Sequence, residues 1–485
     1  MNAFSRTAAT FVGIAVPGVL IAVTAFVAPL PSGSGARGPE QVRLPAAATT
    51  AVCPGPLDRD DEAAGTDEEF EASEAPTTVA RAVSITTTAP DGSEGAAGVE
   101  ARVVDSDTLF TIDPGEPIVT GADGMGAPVA YLGTPAGESP ALVSAVQTAA
   151  ADTGDYAGLA ALSCTTPVTQ AVFSGASTMT GDDSRLLLAN PTDAPVTVRV
   201  DLTGESGPIP VAGQDSLTLQ PHTMRTVVLG ALAEGVPVVG AEVTAEDGSV
   251  TAALQHSRRD GLTPRGIEYA APEAPAATRT VLPVATAGDA RLRVSNPGDS
   301  AVTARLGAHS ADGPEPLASG SVAIPARGTA EVELGDVAPG DVIVEADGAV
   351  TASATVTVDT DEGQDVAFYP GVDEVGDTRL LTLPTDERGT PLEGDLVLAA
   401  GEGTVDVVPV GGDGQRGEPH TLDLDPERAL VLGLTDFGDA RALELRGTAG
   451  EAYATVGVRT DAGVSGIGFP APPEGIGYRD VRLER

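Results

Sequence analysis

The chain has 485 residues, a length that suits three or four domains of ~100–150 residues rather than one core. Its 70 Asp and Glu stand against 27 basic residues, all of them Arg, for a formal charge of −43, which argues against a nucleic-acid partner. Hydrophobic residues make up 41%, too many for a disordered chain, while aromatics make up 3% with no Trp, so any core is aliphatic.

The first element is an apolar run. Arg6 precedes Ala8–Leu30, which carries no charge and is long enough to span a bilayer as a helix, with a kink expected at Pro17-Gly18. Residues 1–31 read as an uncleaved signal anchor, because Pro29 follows Ala28 where a peptidase would cut; a cleaved signal peptide is the alternative. In both cases Arg6 stays inside and the rest is exported, to the exterior face of the cell membrane. Residues 32–48 (SGSGARGPEQVRLPAAA) read as a flexible stalk, and 58–76 as an acidic, mobile insertion.

Beyond the stalk the chain reads as all-β, in tandem. Three segments share a proline turn between strands, LTLQPHTMRTVVLG, VAIPARGTAEVELG and LDLDPERALVLGL, so that Pro221, Pro325 and Pro426 recur about every 100 residues. Hairpins with alternating apolar residues recur at Gly248, Gly348 and Gly450, and closing strands at Tyr269, Tyr369 and Phe469. Asn190-Pro191 and Asn296-Pro297 mark one further turn in two of the units. FTIDPGEPIVTG and the strands around it suggest a fourth, diverged unit at the start; a different fold there is the alternative. The boundaries expected are 49–165, 166–271, 272–371 and 372–485, each a sandwich of roughly seven strands of the immunoglobulin or fibronectin kind. APEAPAAT, 271–278, reads as a short spacer.

Cys53 and Cys164 form the one possible disulfide, on the first and last strands of the first unit, consistent with an oxidising compartment. His222, His256, His309 and His420 lie far apart without metal-ligand spacing. Asp182, Asp183 and Asp193 are the first candidates for calcium, although no D-x-D-x-D-G loop is present and no metal site is assigned. GADGMG (121–126) lacks the helix that a phosphate loop needs. Ser174 and Ser465 lack a neighbouring His and acid, so no catalytic residue, no cofactor and no enzymatic activity is expected.

The order of a membrane helix, C-P-G-P, S-C-T-x-P, V-F-S-G-A-S and L-L-L-A-N-P resembles a family of uncharacterised, membrane-anchored or secreted actinobacterial envelope proteins. Cys53, Cys164, Asn190 and Pro191 carry the resemblance best; Phe173 lacks the neighbouring Trp expected there. The resemblance implies no catalytic residues. It implies an envelope-protein or membrane-glycosyltransferase partner in cell-wall glycan assembly. The function expected is therefore a non-enzymatic structural or interaction protein of the envelope. A surface adhesin or carbohydrate-binding protein is the alternative, disfavoured by the six tyrosines being few and partly core-like, with an unrecognised hydrolase third.

Overall fold

The computed structural model describes residues 49–58, 76–86, 98–104, 127–134, 141–211, 216–361, 363–376, 378–399, 401–449 and 451–470, together with the strands Glu40–Arg43, Leu109–Thr111, Ile118–Thr120 and Tyr478–Val481. The anchor, most of the stalk, the acidic insertion after Asp58 and GADGMG lie outside the described residues. Among the described residues no helix is long and apolar enough to cross a membrane.

The chain divides into two units. In the first, comprising residues 1–43 and 478–485, Glu40–Arg43 pairs antiparallel with Tyr478–Val481, so part of the span read as a stalk is a strand.

The second unit, Leu44–Gly477, is nearly all β; its described helical turns are Leu229–Leu232 and Leu434–Phe437. Its strands fall into four consecutive sets with one shared order. In the set that begins at Gln170 the principal strands are Gln170–Ala176, Asp182–Asn190, Val196–Gly204, Ser216–Leu219, Thr223–Val228, Val239–Ala245, Thr251–Asp260 and Thr263–Ala270. Counted in sequence, one sheet runs first–sixth–third–fourth and the other fifth–second–seventh–eighth. The sets beginning at Thr49 and Arg379 have the same two sheets. So does the set beginning at Ala277, except that Gly340–Asp359 runs through both sheets as the sixth and seventh strands in one. Each repeat thus has eight principal strands rather than seven, and the diverged first repeat keeps the common order.

Simple alternation builds most of each sandwich. Val196–Gly204, VTVRVDLTG, places Val196, Val198, Val200 and Leu202 in the core and leaves Thr197, Arg199, Asp201 and Thr203 only partly covered. The Asn-Pro and proline-turn motifs then meet. The Asn190 amide donates to the carbonyls of Ala194 (2.7 Å), Gln220 (3.2 Å) and Leu219 (3.3 Å). Asn296 does the same to Ser300 (2.8 Å) and Pro325 (3.0 Å) one repeat later. Each turn carries a non-glycine residue at positive φ, His222 at 53° and Arg327 at 49°.

The four repeats close into a ring. The eighth strands, Gly158–Ser163, Thr263–Ala270, Gln364–Pro370 and Val464–Gly468, each touch the next, and the last touches the first. Every seam has an apolar part. Ala160 and Leu162 of the first repeat pack on Leu187, Ala253 and Ile267 of the second. Val366 and Phe368 of the third enter the core of the second, and Val397 and Ala429 of the fourth enter that of the third. Val146, Leu159 and Ala161 of the first complete the core of the fourth. The segment expected to be a spacer is packed in part, with Pro275, Ala276 and Thr278 exposed. Glu273 is buried, its N–H bonds the Val172 carbonyl, and the Ala274 N–H bonds that of Gly371.

Candidate functional site at the ring centre

The eighth strands do not alternate. GLAALS is buried throughout, and IEYA, DVAFYP and SGI are buried on both faces, because a strand at the ring centre has a repeat on each side. Within this dry centre stand two carboxylates, Glu268 and Asp365, both with no exposed surface.

Each is held by all four repeats. Glu268 Oε1 accepts from the N–H of Ala161 (3.1 Å) in the first repeat and of Tyr269 (2.9 Å) in its own. Its Oε2 accepts from the N–H of Phe368 (3.2 Å) in the third repeat and of Gly466 (3.4 Å) in the fourth. The Ser465 hydroxyl lies 2.7 and 2.8 Å from the two oxygens. Asp365 accepts from the N–H of Leu159 (3.0 Å), Ile267 (3.2 Å) and Val464 (2.9 Å), one from each other repeat. Burial raises both pKa values. Glu268 is pushed well above the ordinary carboxylate range by burial and by Asp365, against the pull of Ser465 and the backbone donors. Asp365 is pushed up to about 7 by burial, again against its N–H donors. Glycine makes the approach possible: a Cβ at Gly463 would overlap the Asp365 carboxylate.

A third buried carboxylate locks one seam. Glu273 accepts from the N–H and the hydroxyl (2.9 Å) of Ser174, and burial pushes it up to about 7. From Ser174 a file of hydroxyls crosses from the second repeat to the third and back, through Ser295 (2.8 Å), Thr329 (2.7 Å) and Thr203 (2.8 Å). Ser174 and Ser465, weighed above as nucleophiles, are thus buried hydrogen-bonding partners of carboxylates at seams.

Cys53 and Cys164 are joined, with Cα atoms 4.6 Å apart, tying the first strand of the first repeat to the residue after its last. The segment that follows Cys53 is threaded against the second repeat. The side-chain amide of Gln147 clasps Gly55 N–H (2.8 Å) and C=O (2.6 Å), and that of Gln255 clasps Asp58 N–H (2.9 Å) and C=O (2.7 Å).

The calcium candidates do not converge. Asp182 pairs with Arg258 (3.3 Å) and Asp183 with Arg185 (2.7 Å) at one end of Asp182–Asn190, while Asp193 lies past the other end, beside His222 (2.8 Å). No group of three or more metal-ligating side chains occurs among the described residues. His256 Nδ1 is 2.9 Å from the Ser184 hydroxyl, whose own hydrogen goes to the Ser177 carbonyl (2.8 Å), so the histidine donates to this serine rather than taking its proton. Burial holds His256 down to about 4, and thus neutral. Tyr131, Tyr269 and Tyr369 are core residues, and Tyr156 and Tyr453 are half-buried.

A model of the family of unknown function DUF5719 matches residues 118–435. The chain belongs to that family. The DUF5719 match begins at Ile118–Thr120, the fifth strand of the first repeat, and ends just past Leu430–Gly433, the fifth strand of the fourth. It therefore spans three periods and includes Glu268, Glu273 and Asp365. Comparison with curated proteins and with solved structures brings no match.

The sequence reading missed the central carboxylates. A signal for Glu268 was present, since it is the lone acid in GIEYAAP, a strand otherwise apolar or small. Asp365 is masked by the acidic run VDTDEGQD that leads into it.

Proposed function

We propose that this DUF5719 protein is a non-enzymatic, membrane-anchored, extracytoplasmic structural or interaction protein of a bacterial cell envelope, serving as a platform for cell-wall glycan assembly. The observation that carries the reading is the interlocking of four repeats through buried carboxylates that each bond all of them. Such a body holds its outer loops in fixed relation, as a platform requires and a flexible string of domains does not. The Cys53–Cys164 disulfide fits an oxidising exterior, and Ala8–Leu30 supplies the anchor.

We further read each repeat as a variant of the immunoglobulin sandwich. Its second and fifth strands pair, as do its third and sixth, as B–E and C–F do in that fold. The first strand lies beside the sixth and the seventh beside the second, so the two edge strands are exchanged between sheets.

The test is affinity purification of the full-length protein from gently solubilised native membranes, with an anchor-only control. A membrane glycosyltransferase or another wall-synthesis enzyme recovered with the full chain alone supports the reading. Recovery of the protein by itself refutes a stable complex and moves the weight to direct binding of wall polymers or of other cells.

A further inference from the structure

The geometry around Ser465 fits a neutral acid as well as a carboxylate. The hydroxyl lies within reach of both Glu268 oxygens, accepts from the Ala161 N–H (2.9 Å), and has the Ala161 carbonyl at 3.4 Å. Facing an ionised Glu268 it donates to the carboxylate. Facing a protonated Glu268 it accepts the acid proton and turns its own hydrogen to the Ala161 carbonyl. Asp365 has no such partner: the groups bonding it are backbone N–H donors, which suit a negative charge.

The charges facing this pair are few. GLAALS of the first repeat and VSGIG of the fourth contain no titratable side chain. The second repeat brings Glu268 itself, Tyr269, Arg265 and, opposite Glu268 on the neighbouring strand, His256, which burial keeps neutral; Arg265 is engaged by Gln364 (3.1 Å) and Asp260 (3.2 Å). The third brings Asp365 and Tyr369. Farther out, Asp58 acts on Tyr269 and Asp395 on Tyr369, both as further negative charge. Two like charges in a dry interior repel strongly, and one proton between them relieves it.

We propose that the ring centre is a proton-operated lock, with Glu268 a neutral acid bonded to Ser465 when the ring is closed and its ionisation loosening the seams between all four repeats. The alkaline state places two negative charges among strands that must stay in contact. The N–H groups of Ala161 and Phe368 report on the contact directly.

The experiment uses the full-length protein and two readouts across pH: the infrared carbonyl band of a protonated carboxylic acid, and amide hydrogen exchange of the eighth strands corrected for intrinsic rates. The wild type is expected to show at pH 7 an acid band that E268Q lacks. As pH rises the band disappears, and exchange at Ala161 and Phe368 quickens by at least about tenfold, the equivalent of one unit of pKa displacement. E268Q keeps its protection at high pH, and S465A, which lacks a hydrogen bond that favours the carboxylate, keeps the band to a higher pH than the wild type. A wild-type spectrum at pH 7 identical to that of E268Q overturns the proposal. So does protection that stays constant while the band vanishes. If E268Q does not fold, the wild-type titration and S465A decide the matter between them.

Discussion

Replacing Asn190 with Ala tests how the repeat is tied together. The side chain is fully buried and links the loop after the second strand to the turn at Pro221. Its amide donates to the Ala194 and Gln220 carbonyls and, at longer range, to that of Leu219, while its oxygen accepts from the Thr192 N–H (3.0 Å) and hydroxyl (2.7 Å). Thr192 and Ala194 lie at the surface, where water replaces the lost partner, so those bonds count for about 1 kcal/mol together. The Leu219 carbonyl loses a buried donor, at about 1–2 kcal/mol more, while that of Gln220 keeps the Thr223 N–H and hydroxyl. The expected loss is about 2–3 kcal/mol, read as a lower urea midpoint by circular dichroism at unchanged slope. Asn190→Asp keeps the acceptor and loses the donors, and is expected to fall nearly as far. Asn296→Ala, which breaks the corresponding bonds in the next repeat, is expected to match within about 1 kcal/mol. Asp193→Ala is the control: that side chain is almost fully exposed, and its pair with His222 contributes little. An Asn190→Ala midpoint equal to that of Asp193→Ala refutes the reasoning, since the bonds would then stabilise nothing that water does not.

Two further outcomes follow from the buried groups. Cys53→Ser with Cys164→Ser opens a link between residues 111 apart and is expected to cost ~3–5 kcal/mol in the chain-entropy account, seen as a lower melting temperature and a lower urea midpoint. Glu273, raised to about 7 when folded, binds its proton more tightly folded than unfolded. Its contribution to stability is thus fully present below the unfolded value and is lost as pH rises through about 7. Glu273→Gln is expected to flatten the decline in wild-type stability between pH 5 and pH 8 by up to about 3 kcal/mol, and parallel pH profiles of the two proteins would contradict that assignment.

Much of the repeat was legible because its signals are local. Proline turns and Val alternation act within a few residues of themselves, and the strands of the second and third repeats follow them closely. The hairpins expected at Gly248, Gly348 and Gly450 do not form: Val239–Ala245 and Thr251–Asp260 lie in different sheets, as do Ala442–Ala449 and Tyr453–Arg459, and Gly340–Asp359 runs through Gly348 as one strand. The Cys53–Cys164 pairing was legible because the chain has two cysteines and so one pairing to make. The ring was not legible. Its closure depends on Ala161 meeting Ser465, a contact across 304 residues that no local pattern marks. The spacer reading of 271–278 missed its buried part for a related reason. A Pro/Ala run reads as exposed, but Glu273 within it finds donors on Ser174, 99 residues upstream. The doubly buried eighth strands were visible as apolar runs, yet an apolar strand does not say what lies on its second face.

The buried acids explain why an aliphatic ring settles on one arrangement. The seams are built from Ala, Val, Leu and Ile, whose packing is non-directional and tolerates small slips between repeats. A carboxylate in such a seam is costly unless its oxygens find donors, so it penalises every register but the one that supplies them. Glu268 and Asp365 each find donors on all the neighbouring eighth strands, so a slip of any one repeat leaves a buried acid short of partners. Desolvation therefore acts here as a selector of geometry: the hydrophobic surface draws the four repeats together, and the two acids determine how they meet.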